Sequence, residues 1–263
     1  MDLKEAKVYR NIDNRHPWEL AKLDVVHYLI KKYFPNFLHR KRVCIDIGCG
    51  DIFFAEQLAE RMPYTTFLAV DTSFDQEALT RYKKWYSDTR IEVYNSTDDL
   101  ILNSYGTADL ILLLDVLEHI KDDVAFLKRL QSFEFISDNT LFLITAPAFQ
   151  SLFCSHDHFL EHYRRYNLKS LRARLHAANL TELGHGYFFT VLLKLRIFQV
   201  LLEKIHKPLI RNTQVGNWRQ KGYMNKLMKN ILIIDFKFSC LLKEIGLTLP
   251  GLSIYIICKK SVL

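Results

Sequence analysis

The run Val43-Cys44-Ile45-Asp46-Ile47-Gly48-Cys49-Gly50-Asp51 constrains the fold of this chain more than any other feature. It reads as a buried strand that enters a glycine turn and continues into a helix over Ile52 to Arg61. Glycine has no side chain and reaches φ > 0 without strain, so a Gly-x-Gly turn lets backbone approach a nucleotide-like ligand closely. Asp46 stands within the strand, two residues before the first glycine. That place is usually apolar in dinucleotide-binding turns, and an acid there suits a ligand that carries positive charge.

The rest of the first half repeats the strand-then-helix rhythm. Strands are predicted at Arg42–Ile47, Thr66–Val70, Ile91–Tyr94, Asp109–Leu114 and Leu141–Ala146. Helices are predicted at Ile52–Arg61, Asp75–Tyr86 and Asp122–Phe135. Each strand is a short continuous apolar run, which indicates a parallel sheet covered on both faces. Ligands of such sheets sit at the carboxyl ends of the strands. Those ends carry Gly48, Asp71, Asp98, Asp115 and the segment after Ala146.

Before the first strand, Leu20, Leu23, Val26, Leu29 and Ile30 fall near helical spacing, and Pro35 helps to end that segment. In the second half Asn167 is placed to cap a helix through Ala178. A strand at Glu182–Thr190, helices at Val191–Lys207 and Asn225–Ile245, and a closing strand at Ser253–Cys258 follow. The expected organisation is an N-terminal helical cap (1–40), an α/β core (41–190), a hydrophobic and basic helical insertion (191–250) and a last core strand (251–263).

Charge is divided unevenly. The net +7 separates into a balance of −5 over residues 1–150 and +12 over residues 151–263. The second half is therefore a candidate surface for an anionic partner: a membrane, an acidic protein, phosphate or nucleic acid. On a helical wheel of Val191–Lys207, Arg196, Glu203, Lys204 and Lys207 share one side, and Leu192, Val200, Leu201 and Ile205 form an apolar side interrupted by Lys194. Such a helix either packs on its own sheet or lies at a lipid interface. No secretory signal and no uncharged apolar run of about 20 residues is visible. The five cysteines form no CxxC pair. These features predict a cytoplasmic protein with reduced thiols.

Asp71 lies 21 residues beyond Gly50, at the end of the second strand. An acid there can accept hydrogen bonds from both hydroxyls of a ribose. Together the segments Asp46-Ile-Gly-Cys-Gly50, Ala69-Val-Asp71 and Asp115-Val-Leu-Glu-His119 resemble the ordered motifs of class I S-adenosylmethionine-dependent methyltransferases. The resemblance covers roughly residues 40–190 and reaches the C-terminus through the last strand. It implies a Rossmann-like seven-stranded sheet with the last strand antiparallel. By resemblance, Asp46 holds the donor's amino group, Gly48, Cys49 and Gly50 line its methionine and ribose, and Asp71 with Thr72 binds the ribose. Asp98 meets the adenine, and Asp115 and Val116 lie near the sulfonium. One departure is Ile52, where the family often has a third glycine.

A narrower resemblance follows the fifth strand. His156-Asp157-His158-Phe-Leu-Glu-His162-Tyr163-Arg164-Arg165-Tyr166 is similar to the His-Asp and His-x-Arg-Arg-Tyr elements of a bacterial subgroup associated with surface polysaccharide, lipid or pigment pathways. The segment brings ionisable groups to the methyl-transfer position. His156 or His162 can take a proton from an attacking hydroxyl. Asp157 can orient a histidine, Tyr166 can bond the acceptor oxygen, and Arg164 or Arg165 can clamp an anionic acceptor. His16 and Trp18 from the N-terminal segment, and His119, complete a candidate acceptor pocket; His119 equally suits simple packing, and the arginines equally suit pairing with local acids. No metal is expected, because methyl transfer from a sulfonium needs no Lewis acid and the histidines lack a cysteine partner.

The reading is therefore a methyltransferase acting on an oxygen of a small hydrophobic, lipid-linked or acyl-carrier-bound metabolite. Two alternatives stay open. Nucleic-acid methylation would use the basic half, although no Asn-Pro-Pro-Tyr-type motif follows the fourth strand. A non-catalytic scaffold would keep the fold without turnover.

Overall fold

The computed structural model describes residues 15–100, 105–205 and 222–261. Seven strands form one sheet: β1 (Arg42–Ile47), β2 (Thr65–Val70), β3 (Ile91–Tyr94), β4 (Leu110–Leu114), β5 (Leu141–Pro147), β6 (Leu180–Phe188) and β7 (Ser253–Lys260). The spatial order is β3-β2-β1-β4-β5-β7-β6. Strands β1 to β5 pair in parallel, and β7 runs antiparallel to both β5 and β6. This is the seven-stranded sheet with an antiparallel last strand that the family resemblance implies.

Among the described residues eight helices cover it: α1 (Pro17–Tyr33), α2 (Phe53–Arg61), α3 (Gln76–Trp85), α4 (Asp123–Gln131), α5 (Ser155–Phe159), α6 (Leu168–Ala177), α7 (Thr190–Ile205) and α8 (Tyr223–Glu244). The expected boundaries agree within a few residues, and Asn167 caps α6 as its position predicts. Helix α4 stops at Gln131 rather than Phe135, where Ser132 closes the last turn onto Arg129. The short α5 was not expected. Residues 1–14, and Lys207 with the loop up to residue 221, lie outside the described residues.

Side chains alternate across the pleat and define two apolar layers. Cys44, Phe67, Ala69, Leu112 and Ile257 face α1, α2 and α8, whose Val26, Leu29, Leu58, Leu232 and Phe236 complete that layer. Ile45, Ile47, Val70, Leu113, Ile144 and Ile256 face α4 and α6 through Leu127, Leu130, Leu171 and Leu175. Asp46 shares the parity of Cys44 and so lies on the α1 side of β1. Helices α1 and α8 are joined by Tyr28 edge-on to Phe236, with ring centroids 5.3 Å apart, and by an Asp24–Lys229 ion pair of 2.8 Å.

Helix α7 departs from the wheel reading. Arg196, placed with the basic side, is buried, and Leu201, placed with the packing side, is exposed. Leu193 and Val200 face inward, whereas Leu195, Phe198 and Leu201 face solvent. The reason is electrostatic: the Arg196 guanidinium reaches the buried Asp157 carboxylate at 3.4 Å, and the helix turns to allow it. All five cysteines are free, and only Cys240 is partly exposed. Among the described residues no helix is long and apolar enough to cross a membrane.

Candidate active site

The carboxyl edge of the sheet concentrates backbone strain. Ile52, Asp115, Phe149 and Phe189 all have φ between 57° and 71°, and they follow β1, β4, β5 and β6. Left-handed backbone at a residue with a Cβ costs about 1–3 kcal/mol and persists only where its surroundings dictate it. Ile52 takes the conformation that the glycine common at this place would take freely, and it is fully buried.

The turn after β1 is held by its backbone. Gly48 N and Cys49 N donate to the Val70 carbonyl, at 2.8 and 3.2 Å, and Gly50 N donates to Asp71 Oδ2 at 2.8 Å. Gly48 has φ 72°, and a Cβ there would lie 2.7 Å from a methyl of Val116. The glycine is therefore required by two constraints at once, handedness and the close pass of the β4 loop. Asp71 also accepts from the backbone N–H and the hydroxyl of Ser73. A carboxylate offers about four acceptor positions, so it can tie the turn and still receive ribose hydroxyls. Thr72 stands exposed beside it.

Asp46 is 1% exposed, and its Oδ2 has no hydrogen-bond partner among the described residues. Burial pushes its carboxyl up to about 7, with the charges of Asp71 and Asp51 raising it and Lys22 lowering it. A buried carboxylate lacking a partner is a costly arrangement, and a cationic amine at this turn relieves it.

At the end of β4, Asp115 accepts from Thr145 Oγ1 at 2.9 Å and pairs with Lys22 of α1 at 2.5 Å. Burial opposes ionisation, but the Lys22 ammonium outweighs it and holds Asp115 below the usual carboxylate range. Lys22 lies 5.5 Å from the Trp18 ring centroid and 5.7 Å from that of Phe54. Arg15 pairs with Asp51 and covers Phe53. The first turns of α1 thus lie over the glycine turn. His16 caps α1 by accepting from Trp18 N at 3.2 Å, and burial lowers its pKa to about 4.

The segment after β5 is organised around Asp157, which is fully buried. Its Oδ1 bonds His162 Nδ1 at 2.9 Å and Arg165 Nε at 2.7 Å, and its Oδ2 accepts from Cys154 N at 3.0 Å. Burial works against its charge, but the His162 and Arg165 hydrogen bonds drive its pKa far below the usual value. His162 meets His119 edge-on, with centroids 4.6 Å apart. Glu118, between Leu117 and His119, is fully buried, and burial together with the charge of Asp115 pushes its carboxyl well up. Burial, then Arg196, lowers His156 to about 4.

Other predicted site residues are engaged elsewhere. Asp98 forms a surface pair with Arg129 at 2.7 Å. Arg164 binds Asp123 at 2.9 Å and the carbonyls of Ile120 and Lys121. The Tyr166 hydroxyl sits between Asp123 Oδ2 (2.7 Å) and the Leu117 carbonyl (3.0 Å). Arg165 bonds Asp157 and the Ala148 carbonyl. His158 and His162 do not share a helix face: α5 ends at Phe159, Glu161 turns left-handed, and His158 packs edge-on to Phe153. The structure thus gathers Asp46, Gly48, Gly50, Asp71, Asp115 and Val116 at one edge. It gathers Asp157, His162 and His119 beside them. Sequence reasoning left Lys22, Arg15 and Glu118 unassigned. The signal for Lys22 was a lysine set between Ala21 and Leu23 in a helix whose buried residues are mostly apolar.

A methyltransferase-domain family model matches residues 20–183. Comparison with curated proteins finds no match. Among solved structures, phosphoethanolamine N-methyltransferase 2 of Haemonchus contortus, in complex with S-adenosyl-L-methionine, aligns with TM-score 0.55 and 15% identity over 91% of this chain and 53% of its own. Coclaurine N-methyltransferase bound to N-methylheliamine and S-adenosylhomocysteine aligns with TM-score 0.53 and 17% identity, over 92% of this chain and 70% of its own. The [4+2]-cyclase SpnF aligns with TM-score 0.54 and 11% identity over 97% of this chain and 86% of its own. At such identity the likeness is one of fold, and the cyclase shows that this fold hosts other reactions. The family model spans more than half of the chain, and the chain therefore belongs to the methyltransferase-domain family, in the fold of the class I S-adenosylmethionine-dependent enzymes.

Proposed function

We propose that this chain transfers a methyl group from S-adenosylmethionine to a hydroxyl oxygen of a hydrophobic metabolite, lipid-linked or carried on an acidic acyl-carrier protein. The buried Oδ2 of Asp46, without a partner among the described residues, and the tight Gly48 turn fit a donor with a cationic amine. Asp46 would hold that amine, the backbone of Gly48, Cys49 and Gly50 would line its chain, and Asp71 would hold the ribose. Asp115 and Val116 would face the reacting end. When bound, the donor supplies an electrophilic methyl group on sulfur.

The observation that carries the oxygen reading is the Asp157–His162 pair. Asp157 accepts from Nδ1, fixes the tautomer and ring orientation, and so leaves Nε2 to take a proton. His119, edge-on to that ring, limits how it can turn. An amine acceptor that is neutral at working pH needs no such base. The remaining contribution of the chain is alignment and exclusion of water by α1, through Lys22 and Trp18.

The acceptor class is supported by surface character. Helices α7 and α8 expose Leu195, Phe198, Leu201, Ile234, Phe238 and Leu241. They belong to the half of the chain that carries +12. Apolar side chains with surrounding cations suit a cytoplasmic enzyme meeting the inner face of a membrane, or an acidic carrier.

The test is methyl transfer from isotope-labelled donor to paired hydroxyl and amine acceptors. For His162→Gln, turnover on the hydroxyl should fall about 100- to 10,000-fold, with affinity for S-adenosylhomocysteine kept within twofold. Wild-type rates in the variant, or transfer to the amine alone, overturn the oxygen reading.

A further inference from the structure

We propose that Glu118, His119 and His162 bind a divalent first-row transition cation beside the methyl-transfer centre. One ligand atom from each of the three lies within 4.8 Å of the others. Around a bound cation with bonds of roughly 2.0–2.2 Å, such atoms stand about 3–3.5 Å apart. The three side chains therefore need to close by about 1 Å.

The argument rests first on Glu118. It is fully buried, and neither carboxylate oxygen has a hydrogen-bond partner among the described residues. Burying two acceptor oxygens with nothing to receive is expensive, and a cation between Glu118 and two imidazoles resolves it. The second support is His162, whose Nδ1 is held by the Asp157 carboxylate at 2.9 Å. A carboxylate behind one ring nitrogen is how metal-binding imidazoles are oriented, with the other nitrogen turned to the ion.

The corner is also rigidly built. Four carbonyls of the loop after β4 are held from the segment after α5. Tyr163 N donates to the Glu118 carbonyl at 2.8 Å, and the Tyr166 hydroxyl meets that of Leu117 at 3.0 Å. Arg164 donates to those of Ile120 at 2.9 Å and Lys121 at 2.6 Å. This ladder explains why the Arg164 and Tyr166 side chains are engaged by backbone carbonyls as well as by Asp123. It presses the Glu118-His119 pair against His162, two stretches more than forty residues apart in sequence.

Two imidazoles and one carboxylate form a facial set with open positions, and imidazole favours zinc, iron, cobalt or nickel over magnesium or calcium. An acceptor hydroxyl entering an open position would have its pKa lowered by the cation. Loaded in this way, the corner would use Nε2 of His162 as a ligand; the cation would acidify the acceptor hydroxyl, and its proton would leave to solvent water instead of to the imidazole. This consequence rests on the oxygen reading above; the binding site itself does not. It also replaces the expectation of no metal, which rested on the chemistry of the sulfonium and on the lack of a cysteine partner for the histidines and did not weigh Glu118 as a ligand.

The test is titration of chelator-treated protein with Co²⁺, followed by visible d–d absorption, which reports nitrogen and oxygen ligation without turnover. One saturable site is expected. Glu118→Gln and His162→Gln should each weaken it at least 100-fold, and Asp157→Asn about 10- to 100-fold. A thermal shift with S-adenosylhomocysteine, retained in Glu118→Gln and His162→Gln, shows that those variants are folded. Absence of saturable Co²⁺ binding, or equal binding in wild type and both folded variants, overturns the site. Cobalt at the corner with transfer only to amines keeps the site and removes the oxygen reading. Hydroxyl transfer that is insensitive to chelator, with no cobalt spectrum, does the reverse.

Discussion

The proposed donor side and the proposed acceptor side of the site are built from different materials. Around β1 and β2 the donors are mainly backbone N–H groups: Gly48 N and Cys49 N on the Val70 carbonyl, and Gly50 N and Ser73 N on the Asp71 carboxylate. Around β4 and the segment after β5 the donors are mainly charged side chains, and single buried carboxylates each hold several of them. Asp157 receives His162, Arg165, Arg196 and Cys154 N; Asp123 receives Arg164, Arg174 and Tyr166. A backbone site tolerates change in most side chains so long as the turn keeps its dihedrals. A hub carboxylate tolerates none, because its loss strands several buried donors together. The first should fail gently and the second abruptly.

The largest effect is therefore expected at Asp157. Asp157→Asn removes the negative charge that the buried Arg165 and Arg196 share, at a cost of about 3–5 kcal/mol. Chemical denaturation at pH 7 measures this directly. The sign of its pH dependence follows from the depressed folded pKa. Asp157 contributes stability above the unfolded carboxyl value of about 3.9, and that contribution is lost as pH falls toward the folded value. The gap between wild type and variant should narrow on acidification below pH 4. A variant as stable as wild type at pH 7 would erase the contrast between the two sides.

At Asp71 a smaller and more local loss is expected. Asp71→Ala deletes the acceptor of Gly50 N and of Ser73, and with it the proposed ribose contact. Hydrogen bonds to charged groups are worth about 1.5–3 kcal/mol, which predicts roughly 10- to 100-fold weaker binding of S-adenosylhomocysteine by calorimetry. Global stability should fall less than in Asp157→Asn. Unchanged affinity would remove Asp71 from the ribose site, and a stability loss equal to that of Asp157→Asn would make the donor side a hub as well.

The same contrast explains what the sequence revealed. The donor side is written in short motifs, because a strand, a glycine turn and the next strand's terminal acid are local events joined only by parallel pairing of β1 with β2. The strands were legible for that reason, including β7, whose Ser253–Lys260 run follows Pro250-Gly251; its antiparallel direction came from the family resemblance alone. The acceptor side is non-local. Nothing near Glu118 indicates that Tyr163 will hold its carbonyl, and nothing near Arg164 indicates that its partner is Asp123 rather than a substrate anion. Helix α7 was turned for the same reason: the wheel records polarity, but Asp157 decides which way Arg196 points. Ile52 is the converse case, a residue whose identity argued against the turn and whose buried, left-handed backbone shows that the turn forms regardless.

The smallest predicted effect probes the donor side where it does depend on a charge. Burial raises the Asp46 carboxyl to about 7, so the ligand-free protein keeps it protonated below neutrality. A folded pKa above the unfolded one contributes stability at low pH that is lost as pH rises through about 7. Binding of a cationic amine requires the ionised form, so below pH 7 the ligand must expel a proton from Asp46. Affinity for S-adenosylhomocysteine should then rise about tenfold from pH 6 to pH 8, or about 1.4 kcal/mol, and level off above. Glu118 shifts in the same direction, and the comparison with Asp46→Asn separates the two: its binding should be weaker throughout, and the Asp46 part of the slope should vanish. A slope of full size in Asp46→Asn would assign the proton to Glu118. The acceptor-side corner would then sense the donor, and the two sides would form one coupled site.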